Sequence, residues 1–337
     1  MAHNLATIGN KVAMAYRGED PWHRLGERIP ASVQTVAAVA AFAHLDYTVT
    51  EAPMFLGDGR PVEIRKALLR DGREVLSTVG ADYQIVQNVE AFGIADDLVS
   101  AGSMKIETAG ALGAGEVAWM QLRNGQPFEV GAGDVVKPLL LVVTSHDGSR
   151  AVQAIPTFQR VVCRNTLQAV KDRTKTTVRH TKAALARLDE ARRILNAFYR
   201  TTEATAKAYR QMARTPLSLA QLVDYWEAVF PTRKSAEDEG REVVAELIGA
   251  AAEKSPDKAR ERQEICAWLL ENGKGTEMAG RTAWGAYNAV TEFVDHVYVA
   301  RQNGTPTKNG ARSALFGTGA RLKDTAFQAA AKLAGVR

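Results

Sequence analysis

Residues 46–78 read DYTVTEAPMFLGDGRPVEIRKALLRDGREVLST, and this stretch decides the fold class. Three runs within it, Asp46 to Phe55, Val62 to Leu69 and Glu74 to Thr78, are rich in Val, Ile, Tyr and Leu. Gly57-Asp58-Gly59 and Asp71-Gly72 separate them, and such residues enter the positive-φ geometry of hairpin turns at little cost. The spacing predicts a three-stranded meander. Upstream, Pro30 and a capping Ser32 precede Val33, Val36, Ala37, Ala40 and Ala41 at helical spacing, which predicts a short helix over 32–45. Downstream, Asp82 to Val86 adds an extended piece, and Asn88 is expected to cap a helix with Val89, Phe92, Ala95, Leu98 and Val99 inward.

Strand patterning returns at Met104 to Thr108, Val117 to Leu122, Pro138 to Thr144, Ala151 to Phe158 and the short Val161 to Cys163, with glycines at 110–115 and 131–133 as punctuation. After Asn165 the apolar period becomes 3.6. The run 178–213 contains neither Pro nor Gly, and further helical segments follow near 218–230, 235–253, 257–271, 280–301 and 313–334. Strands first and helices afterwards predict an α+β fold, not alternating βαβ units. The expected division is an α+β sheet domain over 1–166, followed by a helical domain over 167–337.

The 337 residues are 46% hydrophobic and 24% charged, which excludes wholesale disorder. The longest apolar run, Val36 to Ala43, is far short of the roughly 20 residues a membrane span needs. The N-terminus shows no secretory pattern, so a cytoplasmic location is expected, without membrane contact. Cys163 and Cys266 lie too far apart for a metal knuckle and read as reduced thiols.

Chemical motifs are sparse. There is no G-x-x-x-x-G-K-[ST], and the G-x-G of Leu315-Phe316-Gly317-Thr318-Gly319-Ala320 reads as a tight turn before the last helix. Ser145-His146-Asp147-Gly148-Ser149 reads as a hairpin turn, with a metal-assisted nuclease or hydrolase at His146, Asp147 and His180 as the alternative. Trp284, Tyr287, Asn288, Thr291 and Asp295 follow helical spacing and read as a core stripe. No catalytic centre, metal or cofactor is expected.

Charge is more informative. Lys and Arg total 43 against 38 Asp and Glu, so the chain as a whole is only mildly basic. Between positions 150 and 182, however, Arg150, Arg160, Arg164, Lys171, Arg173, Lys175, Arg179 and Lys182 face a single acid, Asp172. A basic groove along a sheet edge suits sequence-tolerant binding of a single strand, with Phe158, Tyr83 and Trp119 as candidate stacking platforms. A solvated face paired with the acids of the helical half, for example Asp189 and Glu190, is the competing reading.

Five motifs occur in order along the chain: Pro21-Trp22-His23-Arg24-Leu25-Gly26, Asp82-Tyr83-Gln84-Ile85-Val86-Gln87-Asn88, Ser145-His146-Asp147-Gly148-Ser149, Val161-Val162-Cys163-Arg164-Asn165-Thr166-Leu167 and Leu315-Phe316-Gly317-Thr318-Gly319. Together they resemble the phage/plasmid-like family of uncharacterised proteins, a domain-of-unknown-function family of phages, prophages and plasmids. The resemblance implies a mobile-element setting and brings no catalytic residues. In architecture, the helix, meander and helix are also similar to the core of Rad-fifty-two-type single-strand annealing proteins, which assemble as rings or filaments on DNA. The expectation is therefore a non-catalytic protein that binds or anneals single-stranded DNA, or RNA, as a homo-oligomer. A binding protein directed against a host defence system is a further alternative.

Overall fold

The computed structural model describes residues 5–18, 25–124, 126–131, 133–163, 166–167, 176–177, 184–232, 256–298 and 310–336. The fold is α+β: among the described residues the strands lie no further than Thr177, and most of the helices lie from Ala184 onward. Two short strands, β1 (Thr7–Ile8) and β2 (Lys11–Val12), pair across Gly9-Asn10, both at positive φ. Next come β3 (Met14–Tyr16) and β4 (Glu27–Arg28), paired in parallel. Helix α1 spans Val36–Phe42 and is capped by Thr35, whose side chain accepts from the Ala38 amide at 3.2 Å. Ser32 is not the cap, because the chain first makes a turn from Pro30 to Val33.

The expected meander forms as an antiparallel sheet in the order β5 (Val49–Phe55), β6 (Pro61–Arg70), β7 (Glu74–Gly80). Asp71 (φ 51°) and Gly72 (φ 67°) make the β6–β7 turn. Val49, Leu68, Leu76 and Val79 form a buried cluster with Tyr47. The far end of the β5–β6 hairpin stands clear, with Ile64 78% exposed. Helix α2 (Asn88–Ala91) follows, its capping box supplied by Gln87 and Glu90, and then α3 (Gly93–Ser100). Asn88 thus lies inside the helix with its side chain buried, and Val89 faces outward.

The main sheet has nine strands, adding β8 (Lys105–Leu112), β9 (Val117–Arg123), β10 (Phe128–Gly131), β11 (Asp134–Ser145), β12 (Gln153–Arg160), β13 (Thr166–Leu167) and β14 (Thr176–Thr177). The order is β13-β12-β11-β9-β8-β3-β4, with β10 on β11 and β14 on β12. Val161–Cys163 is a turn, and the strand comes later, at Thr166. One face of the sheet is apolar: Ala109, Ala118, Met120, Leu122, Leu140, Val142 and Ala154 share a buried cluster with residues of α1 and α3.

The helical half comprises α4 (Ala184–Ala213), α5 (Leu219–Val229), α6 (Pro256–Asn272), α7 (Thr276–Ala279), α8 (Ala283–Glu292), α9 (Gly310–Phe316) and α10 (Thr318–Leu333). A π-helical turn, Phe293–Tyr298, extends α8. The segment expected at 235–253 lies outside the described residues. The expected last helix is broken at Gly317. Just past the break, Gly319 brings α10 against its neighbours, where a Cβ would come within 2.9 Å of Val294 Cγ1 and 3.0 Å of Ala314 Cα. Among the described residues no helix is long and apolar enough to cross a membrane.

The two halves share a core. Val130, Val136, Phe158 and Leu167 of the sheet join Tyr209, Trp284, Tyr287 and Phe327 of the helices in one buried cluster. Each fully buried side chain of this kind contributes roughly 1.5–3 kcal/mol. Helix α4 serves both regions: Ala191, Ile194 and Phe198 lie in the cluster on the apolar face of the sheet, whereas Ala208, Tyr209 and Met212 lie in the helical one.

Candidate nucleic-acid interface

The basic stretch is anchored to the sheet at two points. Thr166 and Leu167 pair with Gln159 and Phe158, and Thr176 and Thr177 pair with Ala154 and Gln153, all on the edge of β12 away from β11. Arg164, Lys171, Arg173, Lys175, Arg179 and Lys182 lie outside the described residues. Residues directly opposite in an antiparallel ladder share a face. By that register, the sheet face opposite the apolar one carries a row Lys105–Arg123–Leu139–Thr157 and a pair Lys137–Gln159, with Gln121 and Gln153 in neighbouring rows. Farther along, the same face holds a small apolar cluster that includes Trp119, Leu141 and Val143. Lys105 is exposed, and Arg123 donates to Glu107 at 3.1 Å. These cations sit on separate strands, so no local run of charge marks them in the sequence. Asp189 and Glu190, expected as acids that could pair with the basic stretch, form ion pairs with Arg192 and Arg193 of their own helix.

The structure corrects Arg160. It is 1% exposed and forms an ion pair with Asp134, Nη2 donating to Oδ2 at 2.6 Å and Nε to Oδ1 at 2.8 Å. Nη1 donates to the Lys274 carbonyl at 3.0 Å and Nη2 to the Gly275 carbonyl at 2.8 Å. Trp284 Nε1 donates to the same carboxylate at 2.8 Å. Gly275 (φ 75°) is needed here, since a Cβ would lie 2.8 Å from Arg160 Nη2. Burial works against the arginine's charge, but its hydrogen bonds to Asp134, the Asp134 charge and the neighbouring Cys163 side chain outweigh that and hold its pKa above the usual value. This guanidinium is unavailable to a phosphate. Arg150 lies elsewhere, between β11 and β12, its guanidinium 4.1 Å from the centre of the Phe316 ring.

The stacking aromatics expected from the sequence are committed to the interior. Phe158 and Trp119 are buried, and Tyr83 is part-buried with its hydroxyl donating to the Ser145 carbonyl at 2.9 Å. The Phe158 ring packs edge-on against Phe128 and Tyr209 in the shared core.

Ser145–Ser149 forms a turn, with Gly148 at φ 72° and the Ser149 amide donating to Asp147 Oδ1 at 2.9 Å. His146 is wholly buried and its Nε2 lies 2.9 Å from Asn88 Oδ1. Asn88 Nδ2 donates to the Leu45 carbonyl at 2.9 Å, which leaves Oδ1 to accept and puts the imidazole proton on Nε2. Burial lowers the His146 pKa to about 4, with Asp147 only partly opposing, so the ring is neutral. The Ser77 hydroxyl donates to the His146 carbonyl, and the Tyr47 hydroxyl and Arg70 guanidinium donate to the carbonyls of Gly115 and Ala114. Burial raises the Tyr47 pKa to about 12.

These groups fasten the meander to the main sheet, and a buried, bonded His146 does not suit the hydrolytic alternative. His180, its expected partner, lies outside the described residues. Among the described residues no three His, Cys, Asp or Glu gather as a metal site. Cys163 and Cys266 are buried thiols outside any disulfide.

No curated protein and no solved structure matches this chain. A family model described as Domain of unknown function (DUF932) matches residues 75–315, from β7 into α9. The match extends over well more than half of the sequence, and the chain belongs to the DUF932 family.

Proposed function

We propose that the protein binds single-stranded DNA, or anneals it, as a non-catalytic homo-oligomer in a phage or plasmid setting. The observation that carries this reading is the attachment of the basic stretch, at Thr166–Leu167 and Thr176–Thr177, to the outer edge of β12. Inward from that edge, the sheet face offers Lys137, Arg123 and Lys105 among glutamines. Lysine and arginine along a sheet edge neutralise backbone phosphates irrespective of base sequence. The annealing form of the proposal rests on the order α1, meander, α2–α3, for which the sequence suggests an analogy with Rad-fifty-two-type proteins. In the meander, β5 and β7 are both edge strands, and edge strands favour addition of a neighbouring copy.

Arg160 does not belong to the contact set. The remaining cations are tested by titrating oligo(dT) at several salt concentrations. With about five phosphates contacted, log K should fall against log salt with a slope near −3.5. Reversing Arg173, Lys175 and Arg179 to Glu should abolish binding and leave the circular dichroism spectrum unchanged. Absence of binding at micromolar protein, or an affinity insensitive to salt, removes the proposal. The same titration with oligo(U) decides between DNA and RNA.

A further inference from the structure

We propose that Asp295 and Lys323 form a positioning clamp that fixes Thr166, the residue from which the chain runs on to the basic positions 171–182. The proposal rests on the nucleic-acid reading above. Both polar groups of the Thr166 backbone are held: its N–H donates to Asp295 Oδ2 at 2.9 Å, and its carbonyl accepts from Lys323 Nζ at 3.0 Å. Lys323 Nζ also donates to Asp295 Oδ1 at 2.9 Å, so the three groups close a ring. Lys323, on α10, is completely buried, and the Asp295 side chain is only 12% exposed.

Three features indicate that this pair does more than stabilise the fold. First, a buried ion pair contributes little that a well-packed apolar pair would not, because desolvation offsets the Coulombic attraction. What it adds is two charged groups directed at one residue's backbone. Secondly, Asp295 lies in the π-helical turn Phe293–Tyr298, and π turns recur at functional sites. The next residue in that turn, His296, places Nε2 3.3 Å from the Cys163 carbonyl. Thirdly, β13 is only two residues long, and its ladder to β12 is correspondingly slight. Arg160 grips the Lys274 and Gly275 carbonyls at one end of the connection, and Asp295 with Lys323 grips Thr166 at the other. The helical half thereby sets the origin of the chain that carries Lys171, Arg173, Lys175, Arg179 and Lys182, through Thr166 and not through nucleic acid.

The test replaces the charges and keeps the packing. The double variant Asp295→Leu/Lys323→Met should stay folded with a lowered thermal midpoint, since it leaves no buried charge but takes the side-chain partners from the Thr166 N–H and carbonyl. Hydrogen exchange at the Thr166 amide should accelerate. Affinity for oligo(dT) should fall roughly tenfold or more as phosphate contacts lose their register. A folded double variant that binds with wild-type affinity and salt slope overturns the clamp. Should the double variant fail to fold, Asp295→Asn/Lys323→Met decides by affinity and salt slope: it leaves no buried charge, keeps an acceptor for the Thr166 N–H and removes the grip on the Thr166 carbonyl. A wild-type protein that does not bind oligo(dT) refutes the functional reading and the clamp's purpose with it, whereas a binding wild type with an indifferent variant refutes the clamp alone.

Discussion

Two buried polar junctions hold this molecule together, and they are built from opposite chemistry. The meander meets the main sheet largely through neutral groups: His146, Asn88, Tyr47 and Ser77 hydrogen-bond one another or backbone carbonyls. The sheet meets the helices through ions, Arg160 with Asp134 and Lys323 with Asp295, which also take up backbone groups. The neutral junction depends on a histidine remaining uncharged and is therefore sensitive to mild acid. The ionic junction cannot lose one partner, because the other would remain charged in an apolar interior.

The largest effect is expected from breaking the ionic side. Asp134→Ala strands the Arg160 guanidinium and orphans Trp284 Nε1, and should cost about 3–5 kcal/mol in urea unfolding. A loss below about 1 kcal/mol, the range of solvent-exposed pairs, would mean that the junction is not sealed from water.

The neutral side is probed by pH. His146 titrates near 4 when folded, against an ordinary value of 6.5. Over that interval the unfolded chain binds the extra proton. The stabilisation from keeping the ring neutral is complete above pH 6.5 and is lost as pH falls toward 4, by about 3 kcal/mol. His146→Gln should flatten this dependence in unfolding titrations; an unchanged pH profile would show that another group controls it.

The smallest effect sets the scale for both. Arg60 and Asp58 form an ion pair at 2.7 Å on the exposed β5–β6 hairpin. Hydrogen bonds from the Arg60 backbone and side chain hold the Asp58 carboxyl below its ordinary range. Arg60→Ala should leave the unfolding midpoint unchanged within error, because solvent screens such pairs. A measurable shift would erase the distinction between surface and buried pairs.

A similar contrast separates what is legible in the sequence from what is not. The meander can be read directly because its signals are local: alternating residues, then Asp71-Gly72 at a turn that needs positive φ. The order of strands and helices is legible for the same reason. Arg160 is not, since its carboxylate partner lies 26 residues away, and Trp284, which shares that carboxylate, is 150 residues from Asp134. In one dimension it is indistinguishable from the cations around it. Asn88 has the composition of a cap, but Gln87 and Glu90 form the capping box one residue earlier and release the Asn88 side chain to His146. The sheet cations Lys105, Arg123 and Lys137 escape notice because only strand register brings them together.

Helix α4 has a consequence for how the polypeptide can be divided. Its 30 residues span about 45 Å at the helical rise, long enough to roof one interior with its first half and line the other with its second. Severing the chain after β13 would take Ala191, Ile194 and Phe198 out of the cluster that holds Met120 and Leu140, and would part Phe158 and Leu167 from the helices of their own cluster. Neither fragment should be recoverable as an independently folding piece, so any partition of this protein's duties between its sheet and its helices has to operate inside one cooperative unit.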